Sequence, residues 1–291
     1  MSQKSLARPR LDSQAMQGFS SSFLIFFYQI ALGGLFALAG TPFHEIERAF
    51  YKSTAGVLYA IALLCLWGKS SFYWQSLSEH FSWQVGLEVL FHVAFVSFFS
   101  CYMVSLWGER QAFRARSFAS CVLAGLAGLA VSALSFTGAS FLSIETLVYP
   151  VGFLLSSLLL GSVTVGMLIG HWYLIDTGQS LEPFIRIYKF FVIALIVQCA
   201  FFALSLPTLY FFGSSQSLTG IERLWQGHST LLLTRVIIGQ IAPLILSRMI
   251  WRTLLIPHTM AATGLFYIAL LGVFVGEILG RQLLALTSLP F

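Results

Sequence analysis

The stretch TMAATGLFYIALLGVFVGEILGRQLLAL, residues 259–286, decides how the rest of the chain is read. It is long and apolar enough to cross a bilayer, whose hydrocarbon core asks for about 20 such residues. Three glycines recur at every fourth position, Gly272, Gly276 and Gly280, a row that lets a neighbouring backbone come close. Beside them stand Glu277 and Arg281. An ionisable group at membrane depth costs about 2.5–3.5 kcal/mol on insertion scales, so it is rare and turns to the bundle interior. Their i, i+4 spacing puts both on one helical face, with the glutamate on the N-terminal side as pairing prefers. Two readings are open at this point. Either this is a packing helix whose carboxylate is neutralised by its own arginine, or Glu277 belongs to a polar pocket built from several helices.

The composition agrees with a membrane setting. Of 291 residues 57% are hydrophobic and 9% charged, with a mean hydropathy of +0.84, where a soluble domain carries roughly 25% charged residues. The net charge of +5 is spread over connections, with no run that suggests nucleic acid. Cys65, Cys101, Cys121 and Cys199 all lie in apolar segments without CxxC or CxxxC spacing, so disulfides, zinc and cysteine-held iron–sulfur clusters are not expected. Residues 1–18 are polar and read as a disordered N-terminal tail. The run after them ends Ala37-Leu38-Ala39 and imitates a signal peptide. It is long enough to span, however, and carries Gln29 in its middle, so it is read as a retained first helix.

About eight transmembrane helices follow from windows of roughly 20 apolar residues, at 19–41, 53–68, 83–107, 116–136, 149–174, 187–212, 228–250 and 258–286. Residues 19–291 are thus expected to form one all-α, polytopic membrane domain. Nine basic residues fall on one side, Arg48, Lys52, Arg110, Arg114, Arg116, Arg186, Lys189, Arg248 and Arg252. Six fall on the other, Lys4, Arg8, Arg10, Lys69, Arg223 and Arg281. The positive-inside rule then places both termini outside, in the periplasm if the membrane is a bacterial inner (cytoplasmic) one.

Polar residues recur at one depth. Counted along alternating helices at 1.5 Å per residue, Gln29, His92, Arg235 and Glu277 lie about ten, nine, seven and nine residues from the same side. Gln84, Glu88 and His92 form an i, i+4, i+8 stripe, and Gln240 follows Arg235 on its helix. Each has a plain alternative: Glu88 pairs with His92 on its own helix, Gln29 bonds a neighbouring helix, Arg235 snorkels to the interface. Together they predict one shared pocket with a carboxylate, an imidazole that exchanges protons near neutral pH, and a fixed cation. That set suits proton chemistry on a hydrophobic ligand such as quinol. At the opposite face, His171-Trp172-Tyr173 and Asp176 end the fifth span; this is either an interfacial aromatic belt or a docking surface or second ligand site, with Arg248, Trp251, Arg252 and His258 on the same side. Integral haem is disfavoured, because His92 is the one histidine well inside a span. His44, His80, His171, His228 and His258 sit at ends or in connections, and His228 is the least poor partner for it.

Eight spans and a last helix reading Gly276-Glu277-Ile278-Leu279-Gly280-Arg281 resemble the quinol-interacting membrane-anchor subunits of the polysulfide reductase and dimethyl sulfoxide reductase families. The resemblance covers architecture and size, and residue by residue it rests on the GExxGR pattern. It implies a cofactor-free helical anchor that exchanges electrons between quinone (menaquinone or ubiquinone) and an attached iron–sulfur or cytochrome subunit, with the head group near the outer face. Protein would then supply position, proton acceptors and electrostatics: His92 takes a proton with Glu88 behind it, Glu277 takes or relays the second, and Gln29, Arg235, Gln240 and Arg281 hold the ligand. A proton-coupled transporter and a structural or assembly subunit remain the competing readings. Pro207 and Pro243 interrupt spans as a transporter's broken helices would, though no internal repeat accompanies them.

Overall fold

A computed structural model describes residues 8–291 except 42, 44, 80–81, 138–142, 177 and 257. The described chain is all-α: α1 (Arg8–Ala39), α2 (Arg48–Glu79), α3 (Trp83–Ser105), α4 (Gln111–Leu134), α5 (Glu145–Ile175), α6 (Glu182–Phe212), α7 (Ser215–Gly227), α8 (Ser229–Val236), a π-helical turn (Ile237–Ile241), α9 (Ala242–Leu255) and α10 (Thr259–Thr287). Eight helical segments are long and apolar enough to cross a membrane, with α8, the π-turn and α9 together forming the seventh. In hydrocarbon every backbone group must be satisfied within its own segment, which is why each apolar run becomes a helix. The protein is a polytopic helical bundle.

Helix α1 begins at Arg8, so residues 8–18 of the stretch read as a tail are helical. His44 and His80 lie outside the described residues. The second span is much longer than 53–68. Helix α2 runs on to Glu79, because hydropathy windows see only the apolar middle and miss a polar helical end. Pro207 does not interrupt α6, which continues to Phe212. Pro243 sits just past the π-turn, where the Ala242 N–H reaches the Ile237 carbonyl.

Helices α1 and α5 form the centre, each burying 72% of its spanning window where the others bury 44% or less. They cross glycine on glycine. A Cβ on Gly33 would fall 1.7 Å from the Ser157 carbonyl oxygen, and one on Gly161 would fall 1.8 Å from the Gly33 carbonyl carbon. On one side of α1 lie α2, α3 and α4; on the other α10 packs against α5, α1 and the α8–α9 span. Gly239 of the π-turn meets Gly276 of α10, where an added Cβ would stand 2.7 Å from the facing Cα. The glycine row thus does what its spacing implies. Helix α7 is short and amphipathic, and its start is held by Glu145, whose Oε1 accepts from the Ser214 N–H at 2.5 Å and the Ser217 hydroxyl at 2.9 Å.

Candidate functional site: two buried ion clusters

The first cluster joins four helices around Glu88. Its Oε1 accepts from the Ser132 hydroxyl of α4 at 2.8 Å and from the Tyr73 hydroxyl of α2 at 3.2 Å. The same oxygen meets the Lys69 ammonium in a close ion pair. Lys69 is 3% exposed, and its Nζ lies 5.5 Å from the centre of the Tyr73 ring. One turn along α3, His92 faces the Glu88 backbone carbonyl through Nδ1 at 2.9 Å. With Nδ1 carrying the proton that this contact uses, Nε2 is the free acceptor of the neutral ring. That Nε2 is buried and has no hydrogen-bond partner among the described residues. The imidazole is flanked by Tyr28 of α1, centroids 4.3 Å apart, and by Tyr73 at 6.0 Å. Tyr28 donates to the Gly125 carbonyl at 3.0 Å, and Gly128 leaves room for its hydroxyl, which a Cβ there would meet at 2.4 Å.

The second cluster is built on Glu277. Its Oε1 accepts from Gln198 Nε2 of α6 at 2.5 Å and faces Arg235 Nη2 at 3.4 Å. Its Oε2 stands 3.7 Å from Arg281 Nη2, an ion pair longer than a hydrogen bond. Gln198 Nε2 also reaches the Ser156 hydroxyl at 3.2 Å. The Arg281 guanidinium lies over the Phe153 ring at 4.4 Å and that of Arg235 over Phe202 at 5.0 Å. Gln29 joins this side through its Nε2, which donates to the Phe153 carbonyl at 2.7 Å. Two guanidiniums thus share one carboxylate. Nε and Nη1 of both arginines lack hydrogen-bond partners among the described residues. Gln240 is buried in the π-turn, its Nε2 also without such a partner.

The expected single pocket is therefore divided in two. Glu277, Arg235 and Arg281 come together, and Gln29 lies beside them across Phe153. His92 and Glu88 belong to the other group. Helix α3 packs on α4 and α2, whereas α10 packs on α5, α9 and α1. The dividing wall is α1, whose consecutive residues reach different helices, Tyr28 to His92 of α3 and Gln29 to Phe153 of α5. Counting residues from a helix entrance fixes height but leaves azimuth open. Two finer expectations change as well. The Glu88 carboxylate is taken by Lys69, Tyr73 and Ser132 and does not reach the His92 ring, which uses only the backbone of residue 88. Arg235 does not snorkel; it is 3% exposed and turned inward.

Sequence reading passed over Lys69, Tyr73, Ser132 and Gln198. Lys69 was counted as a loop charge because the apolar window ends at residue 68. Gln198 carried a usable signal, as a lone amide in the middle of an apolar span, the same kind that drew attention to Gln29. The His171-Trp172-Tyr173 stretch is tied into its own connection: Tyr173 donates to the Ser180 carbonyl, Trp172 packs edge-on to Phe50 at 5.9 Å, and Asp176 Oδ2 accepts from Gln179 at 2.7 Å. His228 lies at the α7–α8 junction, and α8 packs on α10 and α7, so the histidine weighed as a haem partner does not share the setting of His92.

A cavity of about 260 Å³ opens beside the first cluster, lined among others by Gln84, Leu87 and Ser135. Gln84 is one helical turn from Glu88 and Ser135 one turn from Ser132, so the cavity adjoins the cluster along both α3 and α4. The chain matches no family model, no curated protein and no solved structure.

Proposed function

We propose that the protein is the quinol-interacting membrane subunit of a respiratory redox complex, with the head group handled at the Glu88–His92 cluster. One observation carries the reading: a buried imidazole whose Nε2 has no hydrogen-bond partner among the described residues lies in the half of the bundle that holds the cavity lined by Gln84, Leu87 and Ser135. Quinol oxidation releases two protons and two electrons, and a hydroxyl of the head group needs an acceptor where it gives up its proton. His92 Nε2 is the acceptor for the first proton, and the second leaves the other hydroxyl for water at the cavity lined by Gln84 and Ser135. The Glu88 carbonyl on Nδ1 orients the ring, while Lys69, Tyr73 and Ser132 hold the Glu88 carboxylate in its own ion pair one turn away, so the proton that His92 takes must be passed on rather than stored. Electrons would pass to an iron–sulfur or cytochrome subunit seated at the outer face. Glu277 leaves the proton path on this reading because it is the shared counter-charge of Arg235 and Arg281, which favour its ionised form. Its cluster locks α6, α8 and α10 together.

The decisive measurement uses the complex purified from its own membrane, assayed for quinone content and quinol turnover with His92→Gln. Loss of turnover with the subunit still assembled is expected, and normal turnover would overturn the assignment. A second reading, a proton-coupled carrier, is favoured by the π-turn set into the seventh span between Arg235 and Pro243, which holds the buried Gln240 amide. Substrate uptake by vesicles containing only this chain would select it.

A further inference from the structure

A larger cavity, of about 620 Å³, lies on the opposite membrane face, and nothing in the quinol reading uses it. It is enclosed by the C-terminal ends of α1 and α3 and the N-terminal ends of α2 and α4. Leu38, Phe43 and Phe118 give it apolar walls, Arg48, Gln111 and Arg114 supply the hydrogen-bond donors of its rim and floor, and Thr41 and Tyr102 add hydroxyls. No carboxylate is among its described lining residues.

Arg114 is the unusual member. It is 8% exposed, its Nη2 donates to the Gly108 carbonyl at 2.8 Å, and its guanidinium lies 4.7 Å from the centre of the Phe43 ring. Nε has no hydrogen-bond partner among the described residues, and none of the ion pairs found there includes Arg114. A cation drawn out of water without a counter-charge is unfavourable, so the cavity favours an anion over a neutral or cationic occupant. A guanidinium fork matches phosphate oxygens in particular. The cavity stands at the helix ends, on the face that carries nine of the chain's sixteen basic residues, where basic pockets between transmembrane helices take lipid head groups.

We propose that this cavity binds the phosphate of an anionic membrane phospholipid, with Arg114 as the buried anchor, Arg48 and Gln111 at the mouth, and the acyl chains against Leu38 and Phe118. The assignment stands independently of the quinol reading. It is tested on the full chain purified in detergent, by native mass spectrometry and thermal unfolding. The probes are dioleoyl phosphatidylglycerol, dioleoyl phosphatidylcholine and sodium phosphate, each added separately. Phosphatidylglycerol is expected to be retained and to raise the unfolding temperature above that with phosphatidylcholine. Arg48→Gln, an exposed position that does not threaten folding, should weaken that retention about fivefold, as loss of one basic contact to the lipid surface predicts. Arg114→Gln should weaken it about tenfold or more. If Arg114→Gln fails to fold, Ala115→Trp fills the cavity from its exposed wall and should abolish the lipid preference. Equal retention of the two lipids, or retention of phosphatidylglycerol unchanged by Arg48→Gln and Ala115→Trp, overturns the site. Stabilisation by sodium phosphate equal to that by phosphatidylglycerol overturns the lipid assignment.

Discussion

Lys69 and Glu88 are worth more as a pair than either is alone. Both are buried, and breaking such a pair by removing one partner costs about 3–5 kcal/mol, because the survivor is left as an uncompensated charge. Lys69→Met should therefore destabilise the purified protein by roughly that amount, and Glu88→Gln should do so as well. The double variant should recover most of the loss, since neither charge remains to be satisfied. Thermal unfolding of the three variants gives the cycle directly, and additive losses would show that the two side chains are not coupled. Glu277 differs in kind. Among the described residues it is the one carboxylate paired with Arg235 and Arg281, so Glu277→Gln leaves two guanidiniums facing each other with no carboxylate between them. The expected outcome is a poorly assembled subunit. His92→Gln, by contrast, should assemble normally and lose quinol turnover. Assembly yield and turnover measured side by side separate the two roles. Comparable assembly of both variants, with turnover lost in both, would return Glu277 to the proton path.

At the scale of elements, glycines decide which helices touch. The row at Gly272, Gly276 and Gly280 was legible because its period of four is a sequence property, and α10 does bring Gly276 against a neighbouring backbone, that of Gly239. The α1–α5 crossing was not legible. Gly33 and Gly161 stand beside no second glycine at the fourth position that points to each other, and their meeting depends on how two distant helices rotate. Their test is a contrast between two alanines. Gly33→Ala sets a Cβ 1.7 Å from a backbone oxygen; the crossing must open, with a loss on the order of 1–3 kcal/mol or more, as for an overpacked core. In Gly264→Ala the new Cβ meets nothing within 4 Å, and the gain in helix propensity, up to about 1 kcal/mol, should leave the protein as stable as before or more so. Melting temperatures in the same detergent decide it. Equal tolerance of both substitutions would mean that α1 and α5 do not cross on these glycines.

For the whole molecule, the fold class and the eight spans were readable because hydrocarbon admits little besides helices, and an apolar run of sufficient length announces one. Pocket membership was not, because residues such as His92 and Glu277 share a height while α1 stands between them. The same correction sharpens the orientation. Lys69 and Arg281 are buried in ion pairs within the bundle, so neither belongs in a count of loop charges. Removing them from the six leaves four, Lys4, Arg8, Arg10 and Arg223, against nine on the face where the Arg186 guanidinium pairs with Glu45. We propose from this excess that this face is the cytoplasmic one, with α7 outside. Single cysteines report on this in intact cells treated with a thiol reagent that does not cross membranes. Gln226→Cys at the end of α7 should label without lysis, and Gly178→Cys in the α5–α6 connection should label only after it. The reverse pattern would place the basic face outside. It would also put the proposed phospholipid site in the outer leaflet and move the Glu88–His92 cluster toward the cytoplasm, where a redox partner would have to dock instead.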